Sequence, residues 1–226
     1  MKLLAIDTSG DACSAALLVD DRVQQELQIA PRRHGELILS MMQSLLDDSG
    51  LQLHELDGIA FGRGPGSFTG VRIAASVTQG AAFAADLPVI PISTLAAMAQ
   101  GQFRRRGQRR LLAALDARMD EVYWGCYQIG DAGLAELHGE ECVCPPDRAP
   151  LPPTSEGWAG VGPGWSAYQA ILQARMGGAV ETTSPEAFCE ARDIATLAAT
   201  EFSAGRQLPP EQAIPIYLRD QVTRTA

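Results

Sequence analysis

Two tandem α/β lobes, each opening on a short antiparallel meander and continuing as alternating helices and strands, are what this 226-residue sequence predicts. Three observations carry that prediction. Short apolar runs at 2–6, 13–19 and 23–28, separated by polar turns at 7–11 and 20–21, read as three consecutive strands. A helix, a strand, a Gly-rich turn, a second helix and a strand follow, giving the order βββαβαβ. The same kind of meander then restarts at 111–115, 122–128 and 134–143, with 116–121 as its first turn.

Over 34–47, Leu37, Ile38, Leu39, Met41, Met42, Leu45 and Leu46 recur at helical spacing and sweep about 200° of the helix. A sheet covers roughly 100° of a helix or a little more, so the surplus is expected to meet another helix or another chain. Residues 57–61 are a strand. The segment 68–85 is a helix on which Gly70, Ala74, Thr78, Ala81 and Ala85 share a sector of about 80° with almost no side-chain bulk. Ile73, Val77 and Ala84 widen the apolar arc, and Arg72, Ser76 and Gln79 occupy the polar sector. The stripe suits close approach of another chain, and Ala74→Arg is then expected to abolish assembly without unfolding the protein; if the stripe instead faces the protein's own sheet, the same arginine would be buried in the core and destabilise the fold. Residues 89–92 are the next strand. The run Arg104, Arg105, Arg106, Arg109 and Arg110 reads as a solvated linker, with tRNA contact left open. After the second meander come a Pro-rich loop at 145–153, an apolar strand near Trp158 and a helix over 165–175. A longer helix is expected to start at Ser184-Pro185, a cap followed by proline in the first turn, and to end at Gly205. The lobes divide at 1–102 and 103–226. Two such lobes are the plan of the actin, hexokinase and Hsp70 (ASKHA) superfamily: two ribonuclease-H-like lobes, here with the second reduced.

With 46% apolar residues the chain can bury one large core or two smaller ones. Its start is a strand without a charged leader or a long apolar run, and no stretch reaches membrane-spanning length, so a cytoplasmic protein with no membrane role is expected. A net charge of −9 opposes unaided binding of a phosphate backbone. Cysteines 13, 126, 142, 144 and 189 form no CxxC, and Cys142-Val143-Cys144 is too close and too incomplete for zinc, which leaves reduced thiols. Histidines 34, 54 and 138 lack metal-ligand spacing, so no metal and no cofactor is expected.

The joint Gly64-Pro65-Gly66-Ser67-Phe68-Thr69-Gly70 admits two readings. Ser67 caps the following helix, and free amides around Gly66 and Ser67 would suit a phosphate. A Walker loop needs a terminal Lys-Ser or Lys-Thr, however, and the only lysine is Lys2, so close packing is the competing role. Asp7 has the same two faces. Together with the hydroxyls of Thr8 and Ser9 it is positioned to anchor a metal and a nucleotide phosphate, or it simply closes a turn by bonding nearby amides. Asp116 and Arg118 form either an ion pair or a tight turn. Tyr123, Trp124 and Cys126 alternate as packing residues.

Ala5-Ile6-Asp7-Thr8-Ser9, His34-Gly35-Glu36-Leu37, the run Gly62-Arg63-Gly64-Pro65-Gly66-Ser67-Phe68-Thr69-Gly70-Val71-Arg72, Asp116-Ala117-Arg118 and Tyr217-Leu218-Arg219 together resemble the bacterial TsaB (YeaZ) family nearly end to end, the GPGSFTGxR run being the specific element. The resemblance implies a non-catalytic subunit in synthesis of threonylcarbamoyladenosine beside the anticodon of tRNAs reading ANN codons. Its implied partners are the transferase TsaD and the ATPase TsaE, with tRNA met only through the complex; the surplus apolar arc of 34–47 predicts a homodimer when the chain is alone. In the catalytic relative an HxxxH pair follows a proline-led strand, whereas here Ser93, Thr94 and Met98 stand in that region, none a substitute for imidazole at a hard metal. The implied interface combines His34, Leu37, Ile38, Met41, Met42 and Leu45 of the first helix with Phe68, Gly70, Val71, Ala74, Val77, Thr78 and Ala81 of the second. The alternative is an ASKHA-type phosphotransferase or carbamoyltransferase using Asp7, Thr8, Ser9, Gly66 and Ser67. A peptidase lacks both an HExxH and a visible Ser-His arrangement.

Overall fold

The fold is that of a computed structural model, which describes residues 1–219. Strands β1 (Lys2–Asp7), β2 (Ala12–Val19) and β3 (Arg22–Ile29) form an antiparallel meander. Helix α1 (His34–Ser49) leads to β4 (Gly58–Gly62), helix α2 (Phe68–Ala85) to β5 (Val89–Ile92), and β4 and β5 add in parallel beside β1. The first sheet therefore has the order β3-β2-β1-β4-β5.

Helix α3 (Thr94–Arg106) carries the chain to β6 (Arg110–Arg118), β7 (Glu121–Ile129), β8 (Ala135–Leu137) and β9 (Cys142–Cys144). Next come β10 (Trp158–Val161), helices α4 (Gly164–Ala167) and α5 (Gln169–Met176), β11 (Val180–Ser184) and α6 (Ala191–Ser203). The second sheet runs β11-β10-β6-β7-β8, with β9 also on β7, so it repeats the strand order of the first. Both halves have the ribonuclease-H-like order of the ASKHA plan, and the second is reduced in its outer helices.

Three apolar clusters separate the layers. Leu4, Ile6, Leu17, Ile59 and Phe61 meet Ile38, Met41, Leu45 and Ala74 on the outer face of the first sheet. Between the sheets, Leu3, Ile90, Leu111, Tyr127 and Val161 share a core with Leu95, Met98 of α3 and Ile194, Leu197 of α6. Trp124, Trp158, Trp165 and Leu172 fill the outer face of the second sheet, with Trp124 and Trp165 ring centroids 5.8 Å apart.

Several sequence expectations are corrected here. The arginine run is not a solvated linker. Residues 94–106 are a helix capped by Ser93, whose side chain accepts from the Ala96 amide, and closed by Gly107 at φ 70°. Arg104 on its last turn makes a two-pronged bond to Asp193 (2.9 and 3.0 Å), and both Arg104 and Arg105 pair with Glu190, so the run ties α3 to α6. Position 102, expected as the end of the first lobe, lies inside this helix. Ser184 does not cap a helix: it ends β11 opposite Val161, and α6 begins at Ala191, whose amide donates to Ser14 Oγ at 2.9 Å. The strand expected over 134–143 is split into β8 and β9 by a turn containing Gly139 at φ 81°. The helix expected over 165–175 is broken at Tyr168.

Candidate functional site

The Gly-rich joint turns the end of β4 into α2 directly beneath the 7–9 turn. A Cβ on Gly66 would stand 2.6 Å from the Ser9 carbonyl oxygen, and one on Gly70 only 2.0 Å from that of Thr8. Only glycine admits that approach. Polar groups on both sides are spent on each other: Ser67 N–H donates to Ser9 O (2.7 Å), Thr8 Oγ1 donates to Gly70 O (2.6 Å), and Ser67 Oγ accepts from the Gly70 amide (3.4 Å). The Thr8-Ser9 turn thus packs directly on the loop and takes up the Ser67 amide.

Asp7 is sealed in the same joint. Its Oδ2 accepts from the Ser9 amide (3.1 Å) and hydroxyl (3.0 Å), while Oδ1 has no hydrogen-bond partner and lies 2.1 Å from where a Gly62 Cβ would be. The carboxyl is 1% exposed. Burial without a counter-cation raises its pKa from 3.8 to about 7, against the lowering effect of the Ser9 bonds and of the Cys189 thiol beside it. Among the described residues no group of three or more His, Cys, Asp or Glu could hold a metal ion.

The two outer helices behave differently from the sequence expectation. Of the residues assigned to an interface, His34, Ile38, Met41, Met42 and Leu45 on α1 and Gly70, Val71, Ala74 and Thr78 on α2 are buried within the chain itself. The small-residue stripe faces the protein's own β1 turn and sheet, not another chain, because that is where the bare Cα of Gly70 and the methyl of Ala74 allow α2 to lie close. Ala74→Arg would therefore strike the core. Leu37, Val77 and Ala81 are half-buried, and Phe68 is exposed. What remains outside is Leu39 of the apolar arc at 59% exposure, Phe68 of the expected interface at 59%, and Phe83 at 78%, which the sequence reading did not name. Arg72 lies across Phe68, 3.2 Å from its ring centroid, with Tyr217 from the C-terminal segment 6.3 Å from Phe68 between centroids. That segment is held where Ile216 N–H donates to Arg63 O (2.8 Å) and Arg219 pairs with Glu121 of the second sheet.

Glu141 is a further polar residue that sequence reasoning missed. From the loop between β8 and β9 it accepts from Ser93 Oγ at the start of α3 and from Tyr127 OH, and it stands 3.9 Å from Arg63 of the Gly loop. Burial, and the Glu141 charge next, hold the Tyr127 hydroxyl well above its usual range. One carboxylate thereby clasps both halves of the molecule, and no spacing rule links positions 63, 93, 127 and 141.

Comparison with known proteins adds to this geometry. Residues 27–226 match the family model for TsaD, tRNA N6-adenosine threonylcarbamoyltransferase. The tRNA threonylcarbamoyladenosine biosynthesis protein TsaB of Escherichia coli is 42% identical, over 98% of this chain and 96% of its own length. The protein of the same name from Haemophilus influenzae is 40% identical, over 99% and 95%. A solved structure of YeaZ from Pseudomonas aeruginosa superposes with a TM-score of 0.90 at 45% identity, covering 96% of this chain and 99% of that one.

Proposed function

The chain belongs to the TsaB (YeaZ) family of tRNA threonylcarbamoyladenosine biosynthesis proteins, and from that premise we propose that it is a non-catalytic subunit that docks onto the transferase TsaD, with TsaE as a third member, to modify tRNAs reading ANN codons. The observation that carries this reading is the apolar set left on the outer two-helix layer after the chain has covered its own core. Leu39, Phe68 and Phe83 stay 59%, 59% and 78% exposed among the described residues, and an Arg beside two aromatic rings is the composition of an interface centre. The same face, turned on a second copy, forms a homodimer when TsaD is absent. Two features favour a binding role over the alternative transferase: the Thr8-Ser9 turn packs directly on the Gly loop and takes up the Ser67 amide, and Asp7 is sealed from solvent. tRNA is met through the complex, in keeping with a net charge of −9.

The test is Phe83→Asp. At 78% exposure the substitution should leave stability within about 0.5 kcal/mol of the parent. It should also abolish both co-elution with purified TsaD and the dimer mass of the protein alone. Threonylcarbamoyladenosine formation in a reconstituted reaction should fall with it. Full-rate modification without this chain, or normal assembly by the variant, would refute the role or the face respectively.

A further inference from the structure

Cys142 and Cys144 stand apart from the other thiols. They are alternate residues of β9, so both side chains lie on one face of the strand, with their sulfurs 4.0 Å apart. Both are half-buried, whereas Cys13, Cys126 and Cys189 are buried. β9 hydrogen-bonds to β7 alone among the described strands, through Trp124↔Cys142 and Val122↔Cys144, and so has one free edge on which to deform. Glu141, which clasps Ser93, Tyr127 and Arg63, is the residue immediately before Cys142.

We propose that Cys142 and Cys144 are a reversible dithiol–disulfide pair, oxidised by low-molecular-weight disulfides of the glutathione type, whose state is passed to the Glu141 clasp between the two halves of the protein. The Cys142 thiolate attacks one sulfur of the small disulfide, forming a mixed disulfide and releasing one thiolate. Cys144, losing its proton to water, attacks the Cys142 sulfur and expels the second. Two protein thiols thus lose two protons and two electrons, and the small disulfide becomes two thiols. The order follows from the surroundings: the bond between the two thiols lowers Cys142, while that same bond first, and burial next, hold Cys144 up. Alternate Cα atoms of an extended strand are about 6.6 Å apart at about 3.3 Å per residue, the long end of what a disulfide spans, so closure must bend β9. A bond strained in this way is readily reduced, as a switch requires, and bending β9 draws on the adjoining Glu141.

The experiment uses the full chain and oxidised glutathione under denaturant-free conditions, with intact mass, peptide mapping and thermal melting as readouts. Treatment should remove the two thiol hydrogens and join Cys142 to Cys144 in one peptide, reversibly on adding reduced glutathione. Cys144→Ser should stop at a glutathione adduct on Cys142, and Cys142→Ser should react far more slowly. The oxidised protein should melt about 2–4 °C below the reduced one, a difference that Glu141→Gln removes. Stable adducts on both cysteines without ring closure, cross-linked pairs of chains, or no reaction at either thiol would overturn the redox pair. A disulfide that forms without changing the melt, or changes it equally in Glu141→Gln, would overturn the link to the clasp.

Discussion

The two halves of this molecule share a strand order and a joint, yet treat the same feature in opposite ways. After β4 the chain reads Gly64-Pro65-Gly66, and after β10 it reads Gly162-Pro163-Gly164, with Gly64 at φ 98° and Gly162 at φ 100°. The third residue of each triplet presses on the first strand of its sheet or the turn that ends it, Gly66 on Ser9 just after β1 and Gly164 on Ala114 within β6. Beside each joint stands an aspartate near the end of that first strand. Asp7 is sealed without a cation and its pKa is raised to about 7. Asp116 accepts from the Arg118 amide (2.8 Å) and guanidinium (3.0 Å) and from Tyr168 OH (3.2 Å), at the surface, so it is an ion pair and a turn at once. The outer helices differ likewise: α1 and α2 are long and leave Leu39, Phe68 and Phe83 outside, whereas the short α4 and α5 cover a tryptophan cluster. Both joints are closely packed, but the first closes on a sealed aspartate under a two-helix layer with an exposed apolar face, whereas the aspartate of the second half sits in the half-exposed β6–β7 hairpin.

The tightness of the first joint is broken most directly at Gly70. Gly70→Val places a Cβ 2.0 Å from a backbone oxygen that is itself held between β1 and the Gly loop, so no flexible side chain can give way. A loss of about 4 kcal/mol or more, or an insoluble product, is expected in urea titrations. Gly164→Val meets Ala114 atoms at 2.8 Å and should cost less. A Gly70→Val protein as stable as its parent would mean that the loop is not closed on the 7–9 turn.

Periodicity and turn chemistry made much of the first half legible. The short apolar runs of β1 and β2, buried on both faces, and the helical spacing of α1 and α2 are what pattern reading detects. Helix α3 escaped because it is buried almost all round, between two sheets, and spends Gln100 and Gln102 on hydrogen bonds there instead of showing a polar stripe. β11 escaped because its residues, Val-Glu-Thr-Thr-Ser, are mostly polar at a sheet edge, and the Ser184-Pro185 pair mimics a helix start. The width of the apolar arc on α1 was readable, but not which neighbour covers it. Ile38 and Met41 lie under β2 and its sheet while Leu39 stands outside, a division fixed by tertiary packing. The repeated Gly-Pro-Gly was the unread signal that aligns the two halves.

The contrast between the aspartates can be sharpened by titration. For Asp7 the folded pKa, about 7, lies above the unfolded value of 3.8. Below pH 3.8 both states hold the proton. Between those values the unfolded chain has released it and the folded one has not, so stability falls as pH rises and levels off above about 7. At about 1.4 kcal/mol per pKa unit the change is a few kcal/mol. Asp7→Asn, which keeps a neutral side chain, should flatten that slope and be the more stable protein at pH 8, measured by urea unfolding across the range. A parent whose stability rises steadily from pH 4 to 7 would contradict the sealed carboxyl.

The hairpin of the second half offers the gentlest intervention. Arg118, Met119 and Asp120 all have positive φ, at 60°, 57° and 60°, and none is glycine. Met119 and Asp120 are the two loop residues between β6 and β7, where a two-residue turn of this hand favours glycine at its second position. Asp120 makes no hydrogen bond or ion pair among the described residues, while Arg118 holds Asp116. Asp120→Gly relieves the left-handed strain in the folded state and adds freedom to the unfolded chain, and the first effect should win by a small margin. A gain of about 0.5 kcal/mol, or a rise in melting temperature of about 1–2 °C, is expected, with Asp7 and the first joint untouched. A loss of similar size would mean that the Asp120 side chain supports the turn, and that this half stores more of its order in its hairpin than the geometry shows.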